Sequence, residues 1–337
     1  MDVVEFRPEP AQYAWTFGGV APTHRMAPGT LLRLWTEDAF SGRLRRPTDR
    51  PSEVLDMTEV NPQTGPFLVE GAEPGDTLAL HVVDLVPARD WGASTTIPFF
   101  GALTGTDRTA LLHEPPPELT WIYQLDRAAG TVLFEAHRSD FRVELPLAPM
   151  LGTVGVAPAG REVRTSLVPD KFGGNMDTPE MRAGTTVFLG VNVEGAMFSL
   201  GDGHYRQGEG ETCGVAVEGA MDTTLLVELV KGGASAEGFA EWPRLEHDDD
   251  YVVVGSGRPL EDAWRASQVG MIHWLGDLYG LDPLDAYQLV TQVSLSPLAN
   301  VCDTNYSAVT KIEKSLLPRA DAYGGMHRHL RERAAGL

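Results

Sequence analysis

The chain has 337 residues and sets 27 lysines and arginines against 47 aspartates and glutamates, a formal net charge of -20. That balance excludes the usual nucleic-acid binder, which displaces counterions with clustered Lys and Arg, and it works against docking to an anionic membrane. With 42% hydrophobic and 22% charged residues the composition is globular, long enough for a sizeable core in one large or two ordinary domains.

At the N-terminus, MDVVEFRPEPAQYAW mixes charges and prolines where a secretory signal needs an unbroken apolar run. No later window reaches the ~18 apolar residues of a membrane helix, so a cytoplasmic location is expected. The 36 glycines and 24 prolines punctuate the chain densely, which favours short strands and tight turns over long helices. Strand-like runs rich in Val, Leu, Phe and Thr are read at 77–84, 130–136, 141–147, 185–193, 212–218 and 223–230. In the first, Leu78, Leu80 and Val82 share one face and His81 and Val83 the other. Residues 114–118, with three prolines, read as a stiff connection. Residues 246–250, Glu-His-Asp-Asp-Asp, read as a solvated acidic loop ahead of a strand at 251–254.

After Pro259 the pattern changes period. Leu260, Ala263, Trp264, Met271, Trp274, Leu275 and Leu278 fall at helical spacing, with Pro259 suiting the start and Gly280 the stop. Asp282 and Pro283 then cap a second helix through about 293. The expected fold is α+β and β-dominated, with β-sandwich-like layers. Residues 1–257 form a β-rich catalytic region with room for two interleaved lobes, and 258–337 a C-terminal helical portion packed on it.

Chemistry concentrates in 172–218. Gly201-Asp202-Gly203-His204 and Gln207-Gly208-Glu209-Gly210-Glu211 set functional side chains among glycines, which let a backbone turn and approach a ligand closely. Asp202 and His204, two apart in an extended segment, share a face and can share one divalent ion; the alternative is a polar hairpin loop with an Asx turn at Asp202. Glu211 can serve as general base or as a further ligand. Asn175 can hold an amide and Asp177 can orient a neighbour or bind metal, unless Asp177 or Thr178 caps a helix starting at Pro179. Cys213 and Cys302 are too few and too far apart for a disulfide framework or an all-sulfur zinc site, and both are expected to be plain buried thiols. Cys213 lacks the cationic or helix-terminal setting of a thiolate nucleophile. No G-x-S-x-G elbow, P-loop or dinucleotide fingerprint is present.

The string GGNMDTPEMRAGTTVFLGVNVEGAMFSLGDGHYRQGEGETCGVAVE resembles the central signature of the acetamidase/formamidase family, with its GGN-D loop and GD-H---QG-GE segment. TGPFLVEGAEPGD at 64–76 and PMLGTVGVAP at 149–158 are similar to two further family blocks, and His24 and Glu37-Asp38-Ala39 fit its N-terminal part. The resemblance implies hydrolysis of a small neutral linear amide to carboxylate and ammonia, in a β-rich enzyme that forms a homodimer or higher homo-oligomer. It also implies a divalent metal, zinc in first place and calcium as the alternative. On this reading Asp202, His204, His24 and Asp38 hold the metal. Glu211, Asp202 and His204 are catalytic, with Glu211 the base, and Asn175, Asp177 and Gln207 hold the amide. Two departures bear on specificity. Asn61 stands where relatives have His, and Met150 and Leu151 offer an apolar pocket wall that admits a larger amide or a lactam. A binding protein that kept the fold without catalysis is the reading from another class.

Overall fold

The alternation along 77–84 becomes the strand Thr77–Pro87. Leu78, Leu80 and Val82 enter one core, while Ala79 and Val83 face a second, as the two-residue side-chain period requires. The adjoining strand Met221–Val230 is sorted the same way, with Leu225 and Val227 in the first core and Leu226 in the second. A sheet so sorted must be covered on both faces. The computed structural model describes residues 2–104, 114–232 and 237–337 and shows what covers it.

Nine strands form this sheet, in the order Val3–Phe6, Thr30–Thr36, Met221–Val230, Thr77–Pro87, Thr186–Gly190, Arg244–Glu246, Asp250–Gly257, Tyr306–Glu313 and Leu298–Asn300. One face packs on a second sheet, which runs Arg142–Pro146, Thr131–Glu135, Leu119–Asp126, Trp91–Thr96, Val217–Glu218, Phe198–Arg206, Met150–Gly155 and Gly173–Asn175. The strand Gln63–Val69 also pairs with Phe198–Arg206 and carries Tyr13–Ala14 and His24–Met26 on its other side. Phe67, Leu151, Val154, Phe198 and Leu200 of the second sheet fill the first core from below. Each such burial is worth about 2 kcal/mol, so the sandwich interior dominates the cohesion of the molecule.

Helices cover the other face. Leu260–Tyr279 turns Ala263, Ser267, Met271, Trp274 and Leu275 inward. Trp264, placed on that stripe by its spacing, is 44% exposed, because Ala263 and Ser267 take the contact row one residue away. The contact is close: a Cβ on Gly255 would lie 2.3 Å from the Ala263 carbonyl oxygen. Gly280 ends the helix at φ 65°, and Asp282 accepts from the Leu284 amide at 2.9 Å to start Pro283–Val293. Helix Met326–Ala334 completes the layer, with Leu330 in the second core.

Three segments differ from their sequence reading. Residues 258–337 are not wholly helical, since Leu298–Asn300 and Tyr306–Glu313 join the first sheet. In 212–218 only Val217–Glu218 is strand; Gly210 and Gly214 at positive φ divert the chain before it. The acidic run 246–250 is partly buried rather than solvated, because Lys314 meets Glu246 at 2.7 Å and Lys311 meets Asp250 at 3.2 Å. No helix among the described residues is long and apolar enough to cross a membrane.

Candidate functional site

Asp202 and His204 lie inside the strand Phe198–Arg206, not in a hairpin loop. Asp202 takes φ 61°, a left-handed conformation uncommon in a strand, and it sits between the Thr153–Gly201 and Leu151–Gly203 pairs, opposite Gly152. Only glycine fits there. A Cβ on residue 152 would stand 2.4 Å from Asp202 Oδ2, 2.5 Å from Asp177 Oδ1 and 2.9 Å from His204 Cε1. Asp177 (φ 46°) and Glu211 (φ 44°) are also left-handed. Such strain persists only where the surroundings over-determine it, and it clusters at functional sites.

These elements bring five buried carboxylates, Asp177, Asp202, Glu211, Glu218 and Asp303, around one buried imidazole. His204 Nε2 is 3.4 Å from both Asp202 Oδ1 and Glu218 Oε2. Its Nδ1 is 2.9 Å from Gln207 Oε1. The Gln207 amide nitrogen donates to the carbonyls of Asp177 (2.6 Å) and Ala299 (3.0 Å), so its oxygen faces the ring and Nδ1 carries the hydrogen. That leaves Nε2 pointing at the carboxylates. Asn175 is equally committed: its nitrogen donates to Asp177 Oδ2 (2.8 Å) and Asp303 Oδ2 (2.7 Å), and its oxygen accepts from Asn61 (2.7 Å) and Thr153. Neither amide has a free group to hold a substrate. Both fix the acids and the ring instead, and Asn300 adds donors to Asp177 and Asp303 at 3.2 and 3.3 Å.

Burial pushes Asp177 and Glu211 well above the ordinary carboxylate range, and neighbouring acids push them further. Burial also raises Glu218 and Asp303 to about 7. For His204 burial acts downwards, but the Glu218 and Asp202 carboxylates hold its pKa well above the usual imidazole value. Burial would raise Asp202 too, and the His204 charge outweighs it and lowers the pKa. The cluster therefore has more acid than its own cation balances. Two of its oxygens, Asp177 Oδ1 and Glu218 Oε2, are buried with no hydrogen-bond partner among the described residues. The donor atoms of Asp177, His204 and Glu211, and those of Asp202, His204 and Glu218, each lie within 4.8 Å of one another. Orphaned acceptors, excess negative charge and a single aimed nitrogen fit a divalent cation.

His24 and Asp38 do not join this cluster. His24 pairs with Phe67, which pairs with Phe198, four residues along the strand from Asp202 and so about 13 Å away. The Asp38 carboxylate accepts from the amides of Phe40 (2.8 Å) and Gly42 (3.0 Å) and is paired with Arg89, which also meets Glu37 at 2.7 Å. It caps the turn that carries Phe40. Glu218, Asp303, Asn300, Thr153 and Gly152 are site residues that the sequence reading missed. Glu218 ends a segment that reads as an ordinary strand, and Asp303 has no role in the sequence reading because, apart from Asn300, its partner Asn175 lies 128 residues upstream. Cys302 is buried, with its Sγ 3.5 Å from Glu211 Oε2, whereas Cys213 is exposed.

The cavity over the cluster measures about 220 Å³, and its remaining wall is mostly apolar, with Phe40, Met57, Val60, Ile97, Phe100, Leu167 and Val215 beside the polar Asn61, Asn175 and Thr304. Met150 and Leu151 are not part of it, being buried at 1% and 0% exposure. A larger recess of about 730 Å³ opens beside Met326–Ala334. Its walls are already matched ion pairs, Asp321 with Arg328, Asp248 with Arg331 and Glu246 with Lys314, so size does not mark the site here.

The acetamidase/formamidase family model matches residues 14–167 and 156–249. The crystal structure of an acetamidase from Yersinia enterocolitica superposes with a TM-score of 0.85 at 36% identity, covering 94% of this chain and 93% of that one. The acetamidase of Mycolicibacterium smegmatis is 27% identical over 291 residues, 70% of this chain and 68% of its own length. A Schizosaccharomyces pombe relative is 28% identical over 224 residues, and there the chain spans about half (54%) of the relative's length.

Proposed function

The chain belongs to the acetamidase/formamidase family, and on that premise we propose that it hydrolyses small linear amides to a carboxylate and ammonia at the cluster around His204. The observation that carries this is the convergence of Asp177, Asp202, Glu211 and Glu218 on one aimed imidazole nitrogen at the floor of a cavity. His204, Asp202 and Glu218 would hold a divalent cation, zinc in first place and calcium as the alternative, with Asp177 facing it. Bound there, the ion would supply Lewis acidity to the amide carbonyl.

The chain's own groups do the rest. Those carboxylates that a bound cation would keep ionised accept from the substrate NH₂, since an ionised Asp or Glu offers acceptors only. Glu211 takes a proton from the attacking water as the C–O bond forms, and returns it to nitrogen as the C–N bond breaks and ammonia leaves. Its enclosure beside Cys302 keeps bulk solvent from competing for that proton. Gln207 and Asn175 hold His204, Asp177 and Asp303 in register. For Glu211→Gln we expect a 10²–10⁴-fold loss of turnover, with fold and metal content retained by circular dichroism and elemental analysis. Wild-type turnover in that variant would remove Glu211 from the role of base. Ammonia release from formamide, acetamide, propionamide and a γ-lactam separates a linear amidase from a lactam hydrolase. No release from any of the four would favour a binding protein on the same fold. We also assign the enzyme to the cytoplasm as a homo-oligomer, dimeric in the simplest case; fractionation and light scattering test both.

A further inference from the structure

The cavity is divided by chemistry. One part of its lining is the five carboxylates and His204, and another is Phe40, Val60, Ile97, Phe100, Leu167 and Val215, with the hydroxyl of Thr304 the polar exception at the exposed rim. The apolar wall is not a stray patch. Phe40 and Val215 belong to a small hydrophobic cluster with Leu44 and Ala93, against which Ile97, Phe100 and Trp91 also pack, separate from both main cores. Packing from behind makes the wall a pre-formed surface, as small-molecule sites usually are. Asn61, which also borders the cavity, donates from its amide nitrogen to Thr153, Asn175 and the Ser166 carbonyl, and its oxygen accepts from the Gln63 amide nitrogen. It has little left for a polar substituent.

Size points the same way. At about 30 Å³ per water-sized unit, 220 Å³ has room for roughly seven non-hydrogen atoms. Formamide has three and acetamide four, so either would leave the apolar wall uncovered. Orientation follows from donor and acceptor chemistry. The acidic part is rich in acceptors and suits the two N–H donors of a primary amide, which turns the acyl group onto the apolar wall.

Resting on the amidase reading above, we propose that the preferred substrate is a primary aliphatic amide with an apolar acyl group of roughly four to six carbons, seated against Phe40, Val60, Ile97, Phe100 and Val215. The test is kcat/KM for ammonia release along formamide, acetamide, butyramide, pentanamide and hexanamide. Each methylene that reaches the wall should raise kcat/KM by up to about fourfold, so pentanamide should exceed acetamide by at least tenfold. A maximum at formamide or acetamide, with a decline thereafter, overturns the proposal and leaves the amidase reading standing. No ammonia from any member overturns both. N-Butylacetamide places the same bulk on nitrogen; if it is the better substrate than hexanamide, the wall holds the leaving amine and the assignment is wrong. Val215→Trp should lower the pentanamide-to-formamide ratio at least tenfold, and an unchanged ratio in a folded variant counts against the wall. Where that variant does not fold, the wild-type series decides alone.

Discussion

Two regions of this molecule bury imidazoles among polar groups, and they differ in whether their hydrogen bonds close. Between the first sheet and the C-terminal helix, His81 Nδ1 lies 2.8 Å from Thr186 Oγ1, which lies 2.9 Å from His327 Nδ1. His327 Nε2 reaches Asp248 at 3.2 Å, and Asp248 meets Arg331 at 2.6 Å. One direction satisfies every member: His327 donates to Asp248, Thr186 donates to His327, and His81 donates to Thr186. Both rings are neutral in that arrangement, and burial lowers both pKa values to about 4. Around His204 the opposite holds. Acids outnumber donors, two oxygens are orphaned, and three of the acids sit at positive φ. Burial of polar groups is common to both regions, so it does not identify a site; unpaired acceptors and local strain do.

The contrast can be broken most directly at Asp177. Asp177→Asn keeps the shape and removes one uncompensated acid, so kcat/KM should fall by on the order of a thousandfold while the melting temperature stays level or rises. A large fall in melting temperature would mean that the acid cluster is structural after all. Acid should act on the other region. The folded pKa values of His81 and His327, about 4, lie below the unfolded value of 6.5, so the unfolded chain binds protons first and stability is lost as pH falls from 6.5 towards 4. His81 alone should contribute on the order of 3 kcal/mol, read as the stability of wild type minus that of His81→Gln across this window. The subtraction matters because Glu218, Asp303 and Glu246, raised to about 7 chiefly by burial, shift whole-protein stability the other way as they protonate. A flat difference would show that the imidazoles are not held neutral.

Gln207→Ala removes the acceptor that fixes the His204 tautomer, and metal affinity measured by competition with a chelator should weaken about 10–100-fold with little change in melting temperature. The smallest effect is expected at Thr186→Val, which cuts the closed chain of hydrogen bonds. It should cost about 1–3 kcal/mol in denaturant unfolding and leave kcat/KM for amide hydrolysis unaltered.

Much of this was legible in the chain, and the reason differs by region. The helices at Leu260–Tyr279 and Pro283–Val293 announce themselves through Pro259, Gly280, Asp282 and Pro283, because capping and φ restriction act within a few residues. The acids at 177, 202 and 211 with His204 stand out because glycines cluster around them, and the backbone they occupy does need unusual φ. The same string hid its geometry. GDGH reads equally as a loop, and only pairing with Met150–Gly155 on one side and Gln63–Val69 on the other makes it a central strand. Gln207 and Asn175 look like substrate holders by residue type, yet their amides are spent on neighbours, which spacing cannot reveal. Asp38 looks like a ligand until Arg89, fifty-one residues away, takes its carboxylate.

By itself, then, the sequence determined the acidic character of the chain, its strand-rich layers, its capped helices and the central string of candidate residues, since all of these follow from composition and from interactions within one turn or one strand. Tertiary structure alone decided which acids meet. Glu218 reaches His204 because Val217–Glu218 pairs with Phe198–Arg206, and Asn300 and Asp303 join the cluster where Gly210 bridges to Asn300 across ninety residues. It also chose the pocket wall, exchanging Met150 and Leu151 for Phe40, Val60, Ile97, Phe100 and Val215. Convergence of this kind depends on long-range packing, and no local period of side chains encodes it.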